Sequence, residues 1–301
     1  VRAVWSFWSK PFHAFKGRIW HEPKHHLFAW GLSLRLARKH FRSTQLVTDS
    51  AGKALLVDEL GLEFDEVSTA LDGLSDIDEG WWALGKMMAY GIQDRPFIHL
   101  DTDVFLWNSP PASLLAAKVF AQCPERHPLE NPWCGPREVE NLFARHGREL
   151  PVEWEWSSSR NTSWFREENC GIVGGNAVDF LRHWAKTGID LVADPRNAAA
   201  WRDLPEKSGF NMLIEQFLLA ACLDYHRIDP ASPYKGVNIR YLFPSWSDAF
   251  DPDAAAKAGY THLLGDAKTN PVVASRLEER VASLDPAFHR HARRVAAGAG
   301  R

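Results

Sequence analysis

Phe97-Ile98-His99-Leu100-Asp101-Thr102-Asp103-Val104-Phe105-Leu106 begins with a short apolar run and then carries two carboxylates one residue apart. The run 96–100, entered from a proline, predicts a buried strand whose end is acidic. In extended chain, side chains two apart share a side, so Asp101 and Asp103 present their carboxylates together. Two hard oxygen donors at that spacing suit one divalent cation with positions left open for other oxygens. The same pair also suits a loop that caps a helix or binds water. Asn108-Ser109-Pro110-Pro111 then stops the segment.

Working toward the N-terminus, residues 2–8 alternate toward apolar character and predict a first strand. Apolar Leu27, Trp30, Leu34, Ala37 and Phe41, with Arg35, Arg38 and Lys39 between them, predict an amphipathic helix over 27–41. A second strand is expected at 45–48, ending at Asp49. A helix follows over 51–60, closed near Gly61, then a short strand over 63–67. A helix over 80–90 places Trp82, Lys86 and Tyr90 on one side. Strand and helix thus alternate through the first 110 residues, which predicts an open, largely parallel α/β sheet. Ligands of such sheets gather at the carboxyl ends of strands, where Asp49 and Asp101 both stand.

Toward the C-terminus, residues 121–165 are rich in Pro, Trp, Glu and Arg without clear periodicity, and an irregular insertion is expected there. Helices are expected over 178–191 and 211–221, and one or two strands within 224–242. A strand-to-loop segment follows at 260–268. The stretch 274–301 reads as a charged helical tail with a flexible Ala/Gly end. The expected organisation is one domain over 1–273, in two halves (1–110 and 111–273), followed by that tail.

The chain has 301 residues, a formal net charge of −3 and 45% hydrophobic residues, a composition that supports a substantial globular core and gives no polyanion-binding surface. Nucleic acid is therefore not expected as a partner. Cys123, Cys134, Cys170 and Cys222 form no C-x-x-C pair and read as reduced thiols. With no apolar run of membrane-spanning length and no secretory signal in the first residues, the expectation is a soluble cytoplasmic protein, or one peripheral at a membrane. Asn161-Thr-Ser matches a glycosylation acceptor but carries little weight in such a chain. Fourteen Trp serve core packing or, through their faces, stacking on sugar rings. His21, His25 and His26 have no matching carboxylate or Cys and are expected at the surface.

Four further features carry chemistry. Thr261-His262-Leu-Leu-Gly265-Asp-Ala-Lys268 offers an imidazole for a divalent metal, a glycine that admits close backbone approach, and a lysine as a point charge for phosphate. At this spacing a lone His and Lys also read as surface residues. Glu168-Asn169-Cys-Gly171-Ile-Val-Gly174-Gly175 places an amide before glycines, a pattern that admits close approach to the backbone or forms a tight turn. Glu215-Gln216 is a polar pair inside an apolar helix, which needs partners or a ligand. Lys86 precedes the acidic strand.

Together, in this order, these segments resemble GT-A-fold glycosyltransferases of the glycogenin and lipooligosaccharide galactosyltransferase type. The resemblance implies a GT-A-like, Rossmann-type open mixed sheet flanked by helices. It implies transfer of a sugar from a nucleotide diphosphate donor, UDP-sugar favoured, to a hydroxyl of a glycan, lipid or protein acceptor. By the same resemblance Asp101 touches the ribose and, with Asp103 and His262, forms the site for Mn2+ or Mg2+. Lys268 and Gly265 meet the donor diphosphate. Asp49, Lys86, Asn169, Gly174 and Gly175 complete the donor site. Glu215 and Gln216 lie near the anomeric carbon, where Glu215 serves as a base or stabilises an oxocarbenium-like centre, and the Trp-containing stretch 131–165 contributes to the acceptor side. Two departures stand out: Glu replaces the usual Asp at 215, and Thr269-Asn270-Pro271 follows Lys268 in place of Pro-Trp. The alternatives are a sugar-nucleotide nucleotidyltransferase, which usually carries a Gly-rich loop absent after Phe7, and a non-catalytic carbohydrate-binding protein of the same fold.

Overall fold

A computed structural model describes residues 1–15, 19–160, 162–204 and 206–298. Asn161, the first residue of the glycosylation triplet, and the last three residues of the tail lie outside this set.

The strands are β1 (Arg2–Phe7), β2 (Thr44–Thr48), β3 (Glu66–Ser68), β4 (Phe97–Leu100), β5 (Val104–Leu106), β6 (Val119–Ala121), β7 (Pro124–Pro128), β8 (Trp164–Glu168), β9 (Ile172–Gly175), β10 (Ile239–Tyr241) and β11 (Tyr260–His262). The longer helices are α1 (Pro23–Ala37), α2 (Ala83–Gly91), α3 (Pro136–Arg145), α4 (Val152–Arg160), α5 (Val178–Ala193), α6 (Leu218–Ile228), α7 (Pro271–Leu284) and α8 (Pro286–Gly298). Seven strands form one sheet in the order β10-β6-β9-β4-β1-β2-β3. Its β4-β1-β2-β3 half is parallel, while β9 runs antiparallel to both β4 and β6. This is the open mixed α/β sheet expected from the sequence.

The alternation of side chains explains how the sheet holds two layers together. Val4, Phe97, Val119 and Val173 enter the core on one face, whereas their neighbours Ala3, Trp5, Ile98, Phe120 and Ile172 enter the core on the other. Strands buried on both faces need largely apolar runs; the polar exceptions in β1 and β4 are Arg2, Ser6 and His99, and Ser6 Oγ lies 3.0 Å from His99 Nε2. The buried Arg2 guanidinium is paid for by Glu66 at 3.2 Å and Asp94 at 3.4 Å. Helices α2 and α5 pack together on the first face; α1 lies on the second.

Two segments differ from expectation. Among the described residues of 121–165, β7 pairs antiparallel with β8 and the helices α3 and α4 lie between them. Val139, Leu142 and Phe143 of α3 are buried at helical spacing among charged neighbours, a short stripe outweighed in composition by Glu and Arg. Residues 224–228 extend α6, and within 224–242 only 239–241 form a strand. The C-terminal helices α7 and α8 pack on α1, with Leu277, Val281 and Ala292 buried and the Phe28 and His289 rings 5.1 Å apart. Among the described residues no helix is long and apolar enough to cross a membrane.

Candidate active site

The chain leaves β4 at its carboxyl end and turns immediately into β5. Asp101 and Asp103 occupy that turn, closed by the Val104 N–H donating to the Asp101 carbonyl. β5 pairs antiparallel with β11, setting His262 opposite Val104. The side chains of Asp101, Asp103 and His262 thereby bring one ligand atom each within 4.8 Å of one another. His262 Nε2 lies 3.5 Å from Asp103 Oδ1. Its other nitrogen, Nδ1, bonds the Gln122 amide oxygen at 2.7 Å, which also accepts from the Tyr260 hydroxyl at 2.6 Å. With the ring proton on Nδ1, the Nε2 lone pair would face the acids. Outer partners of this kind orient metal-ligating imidazoles.

Two lysines bracket the acids. Lys268, on the turn Gly265–Lys268, reaches Asp103 Oδ2 at 2.6 Å. Although burial works against its charge, Asp103 is held well below the usual carboxylate range, chiefly by the Lys268 ammonium. Lys86 of α2 bridges Asp101 at 3.0 Å and Glu215 at 2.8 Å. Burial opposes the Lys86 charge, yet the two carboxylates raise its pKa. Burial pushes Asp101 and Glu215 up, the nearby lysine notwithstanding. His99, buried beside Asp101, is pushed well below its ordinary value by burial and by Lys86, and stays neutral. Three carboxylates thus face two ammonium groups and the neutral His99 ring, an arrangement with room for an added cation.

The donor set fits a hard divalent ion: two carboxylate oxygens and an unprotonated imidazole nitrogen on one side of a cleft. That cleft has a volume of ≈ 1060 Å³ and is lined by Asp101, Asp103, Gly171, His262, Gly265 and Lys268, and further along by Lys86, Asn169 and Gln216. Gly265 has φ +51, with open space where a side chain would stand. Gly171 is required sterically, because a Cβ there would sit 2.4 Å from the His262 ring.

Four site candidates, Asp49, Gly174, Gly175 and Glu215, do not line the cleft. Glu215 is fully buried and does not line the cleft; Tyr90 donates to it at 2.6 Å beside Lys86. It shares a π-helical turn, Leu213–Phe217, with Gln216, and such turns re-aim consecutive side chains. Gln216 does line the cleft, and its buried Oε1 lacks a partner among the described residues. Asp49 caps the helix Ser50–Lys53 through the Gly52 N–H and takes both the N–H and hydroxyl of Ser9. Gly174 and Gly175 lie within the sheet, where a Cβ would approach the Phe97 and Lys118 carbonyl oxygens to 2.0 and 2.1 Å. They permit strand pairing and do not line the cleft. Of the histidines expected at the surface, His25 and His26 are buried; His26 accepts from Trp30 Nε1 at 2.8 Å, lines the cleft and is lowered to about 3 by burial and Lys268.

Sequence reasoning missed Glu125, His127 and Glu167, which line the same cleft. Glu125 and Glu167 are opposite residues of the β7–β8 pair. Like charges so placed are unfavourable, and His127 Nε2 offsets them at 3.3 Å from each. Hydrogen bonds to Glu125 and Glu167 raise the His127 pKa to about 10. Among the described residues Glu167 Oε1 is buried and has no hydrogen-bond partner. The period-two patterns Glu125-x-His127 and Glu167-x-Asn169 were the available signal. Asn169 donates to Glu125 at 2.5 Å and accepts from the Gly171 N–H. Trp133, Trp246 and Phe250 are exposed at the rim. Trp154, by contrast, is buried core.

No curated protein sequence matches this chain. Among solved structures it is similar to the galactosyltransferase LgtC in complex with donor and acceptor sugar analogs, at 14% identity and TM-score 0.42, over 94% of this chain and 96% of that one. A structure of an active-site mutant of LgtC gives the same identity, TM-score and coverage. The sequence model of a protein family of unknown function, DUF6734, matches residues 1–295, and the chain belongs to that family.

Proposed function

We propose that this chain is a divalent-metal-dependent glycosyltransferase that takes a sugar from a nucleoside diphosphate donor and passes it to an acceptor hydroxyl. One observation carries this reading: two carboxylates from the end of a central strand and an imidazole from a distant one converge in a cleft, with a lysine on either side. Asp101, Asp103 and His262 would hold Mn2+ or Mg2+. When bound, the ion would neutralise charge gathering on a departing diphosphate.

The chain's own groups supply the remainder. Lys268, on a four-carbon stem at the cleft edge, brings a positive charge for phosphate oxygens, beside backbone left open at Gly265. Lys86, permanently charged between Asp101 and Glu215, adds a second positive charge and keeps Asp101 in place. Such preorganised charges stabilise a leaving anion without reorganisation at the moment of reaction. Gln216 faces the transferred sugar with an amide oxygen that seeks a donor. Glu215, sealed from the cleft, acts through Lys86 as a positioning residue. Glu125, Glu167 and Asn169 form a polar wall for sugar hydroxyls, and the rim aromatics offer stacking faces for the donor or acceptor.

The test is Mn2+-dependent turnover across a panel of nucleotide sugars. Release of nucleoside diphosphate supports the transferase. Monophosphate or pyrophosphate indicates a nucleotidyltransferase, and metal-independent sugar binding without turnover indicates a binding protein. Asp103→Asn should weaken Mn2+ binding by at least about 100-fold, since even outer partners of metal ligands are worth 10–100-fold. Unchanged Mn2+ affinity in that variant overturns the site.

A further inference from the structure

Glu153, His183 and His226 come from three different helices, α4, α5 and α6. Their ligand atoms form a closed triangle. His183 Nε2 is 2.8 Å from Glu153 Oε1, His226 Nε2 is 3.3 Å from the same oxygen, and the two imidazole nitrogens are 3.0 Å apart. Glu153 and His226 are buried, and His183 is half-buried. The active-site reading uses none of the three, and none lines that cleft.

We propose that these side chains form a second metal site, selective for a borderline transition cation such as Zn2+, which clamps the three helices together. Zinc takes His nitrogen at about 2.0–2.1 Å and carboxylate oxygen at about 2.0–2.2 Å. Tetrahedral ligands at those distances are separated by about 3.3 Å, close to the triangle observed. Two imidazoles and one carboxylate select zinc-like ions over Mg2+ or Ca2+, which prefer oxygen.

The surroundings support a metal over a simple proton network. Ser232 Oγ lies 2.8 Å from His226 Nδ1 and accepts from the Tyr234 N–H. With Nδ1–H donating to that hydroxyl, Nε2 turns a lone pair toward Glu153 and His183. A proton on His183 serves one of these contacts well, whereas a cation at the centre satisfies all three atoms. The Tyr234 ring lies 5.1 Å from each of the two imidazole rings and shields one side. His183 and Tyr234 also line a separate cleft of ≈ 1250 Å³, which gives the ion an entry path and room for a water as fourth ligand.

The clamp would reach the active site mechanically. Trp184, next to His183, donates its indole N–H to the Glu215 carbonyl at 3.1 Å, and Glu215 holds Lys86. The proposal does not depend on the glycosyltransferase reading.

The full chain is tested by zinc counting after dialysis, native mass spectrometry and thermal melting. Wild type should retain one zinc that Asp103→Asn also retains. His183→Gln and His226→Gln should each lose it. Zinc at about 100 times its dissociation constant should raise the wild-type Tm by about 4 °C, and this rise should vanish in both His variants. Zinc content that disappears with Asp103→Asn but persists in the His variants overturns the proposal, as does wild type without bound zinc. If His226→Gln fails to fold, the half-buried His183→Gln and the wild-type count decide.

Discussion

Glu215→Gln separates a positioning role from direct chemistry. The carboxylate is fully buried, 2.8 Å from Lys86 and 2.6 Å from the Tyr90 hydroxyl. Glutamine keeps the shape and one oxygen to accept a hydrogen bond, but removes the charge. Breaking a buried ion pair costs about 3–5 kcal/mol when a charge is left alone. Here Lys86 retains Asp101 at 3.0 Å, so the loss is closer to that of one charge-assisted hydrogen bond, about 2 kcal/mol. With about 2.1 cal/mol/K of unfolding entropy per residue, a chain of 301 residues should melt about 3 °C lower. Because Glu215 does not line the cleft, the kinetic effect should appear mainly in the donor KM, through Lys86, as a roughly 10-fold loss of kcat/KM. Loss of a general base would instead lower kcat by about 100-fold or more. Calorimetry and steady-state kinetics on the active donor measure both. An unchanged Tm with kcat reduced by about 1,000-fold would refute the positioning argument and put Glu215 at the reaction centre.

Gly171→Ala should push the His262 ring aside, because its Cβ would lie 2.4 Å from that ring and 2.5 Å from Gln122 Oε1; Mn2+ affinity by titration calorimetry should fall about 10-fold or more. Gly31→Ala places a Cβ 2.2 Å from the Phe288 ring and should cost about 1–3 kcal/mol by overpacking, with faster proteolysis of α8 as the readout. The folded His127 pKa is raised to about 10, above an unfolded value of about 6.5. Its contribution to stability is therefore complete below about pH 6.5 and disappears as pH rises through the folded value; denaturant melts should show a decline toward pH 10 that His127→Gln lacks. Asp103 has the opposite sign: its folded pKa is depressed, so its contribution is present above the unfolded value and disappears on acidification. Melts below about pH 4 should show a loss of stability that is smaller in Asp103→Asn.

Much of this protein is legible along the chain because short-range physics writes it there. Apolar runs ending in turn residues mark β1, β2 and β4, while Asp101 and Asp103, expected side by side on extended chain, are brought together by the turn between β4 and β5. Lys86 and Tyr90 share a helix face by spacing, and both meet Glu215. The depth at which Glu215 sits is a matter of how α2 and the π-helical turn pack, and no local pattern records it. Strand register has the same character: it sets Gly174 and Gly175 against neighbouring carbonyls, leaves Gly171 against His262, and joins Glu125 to Glu167 across β7 and β8. The stripe of α3, the docking of α7 and α8 on α1, and the meeting of Glu153 with His183 and His226 likewise arise between elements distant in sequence. Propensity and periodicity act over a few residues, whereas register and helix docking are set by burying two apolar faces of one sheet together, and that packing assigns each polar side chain to the core, the cleft or the solvent.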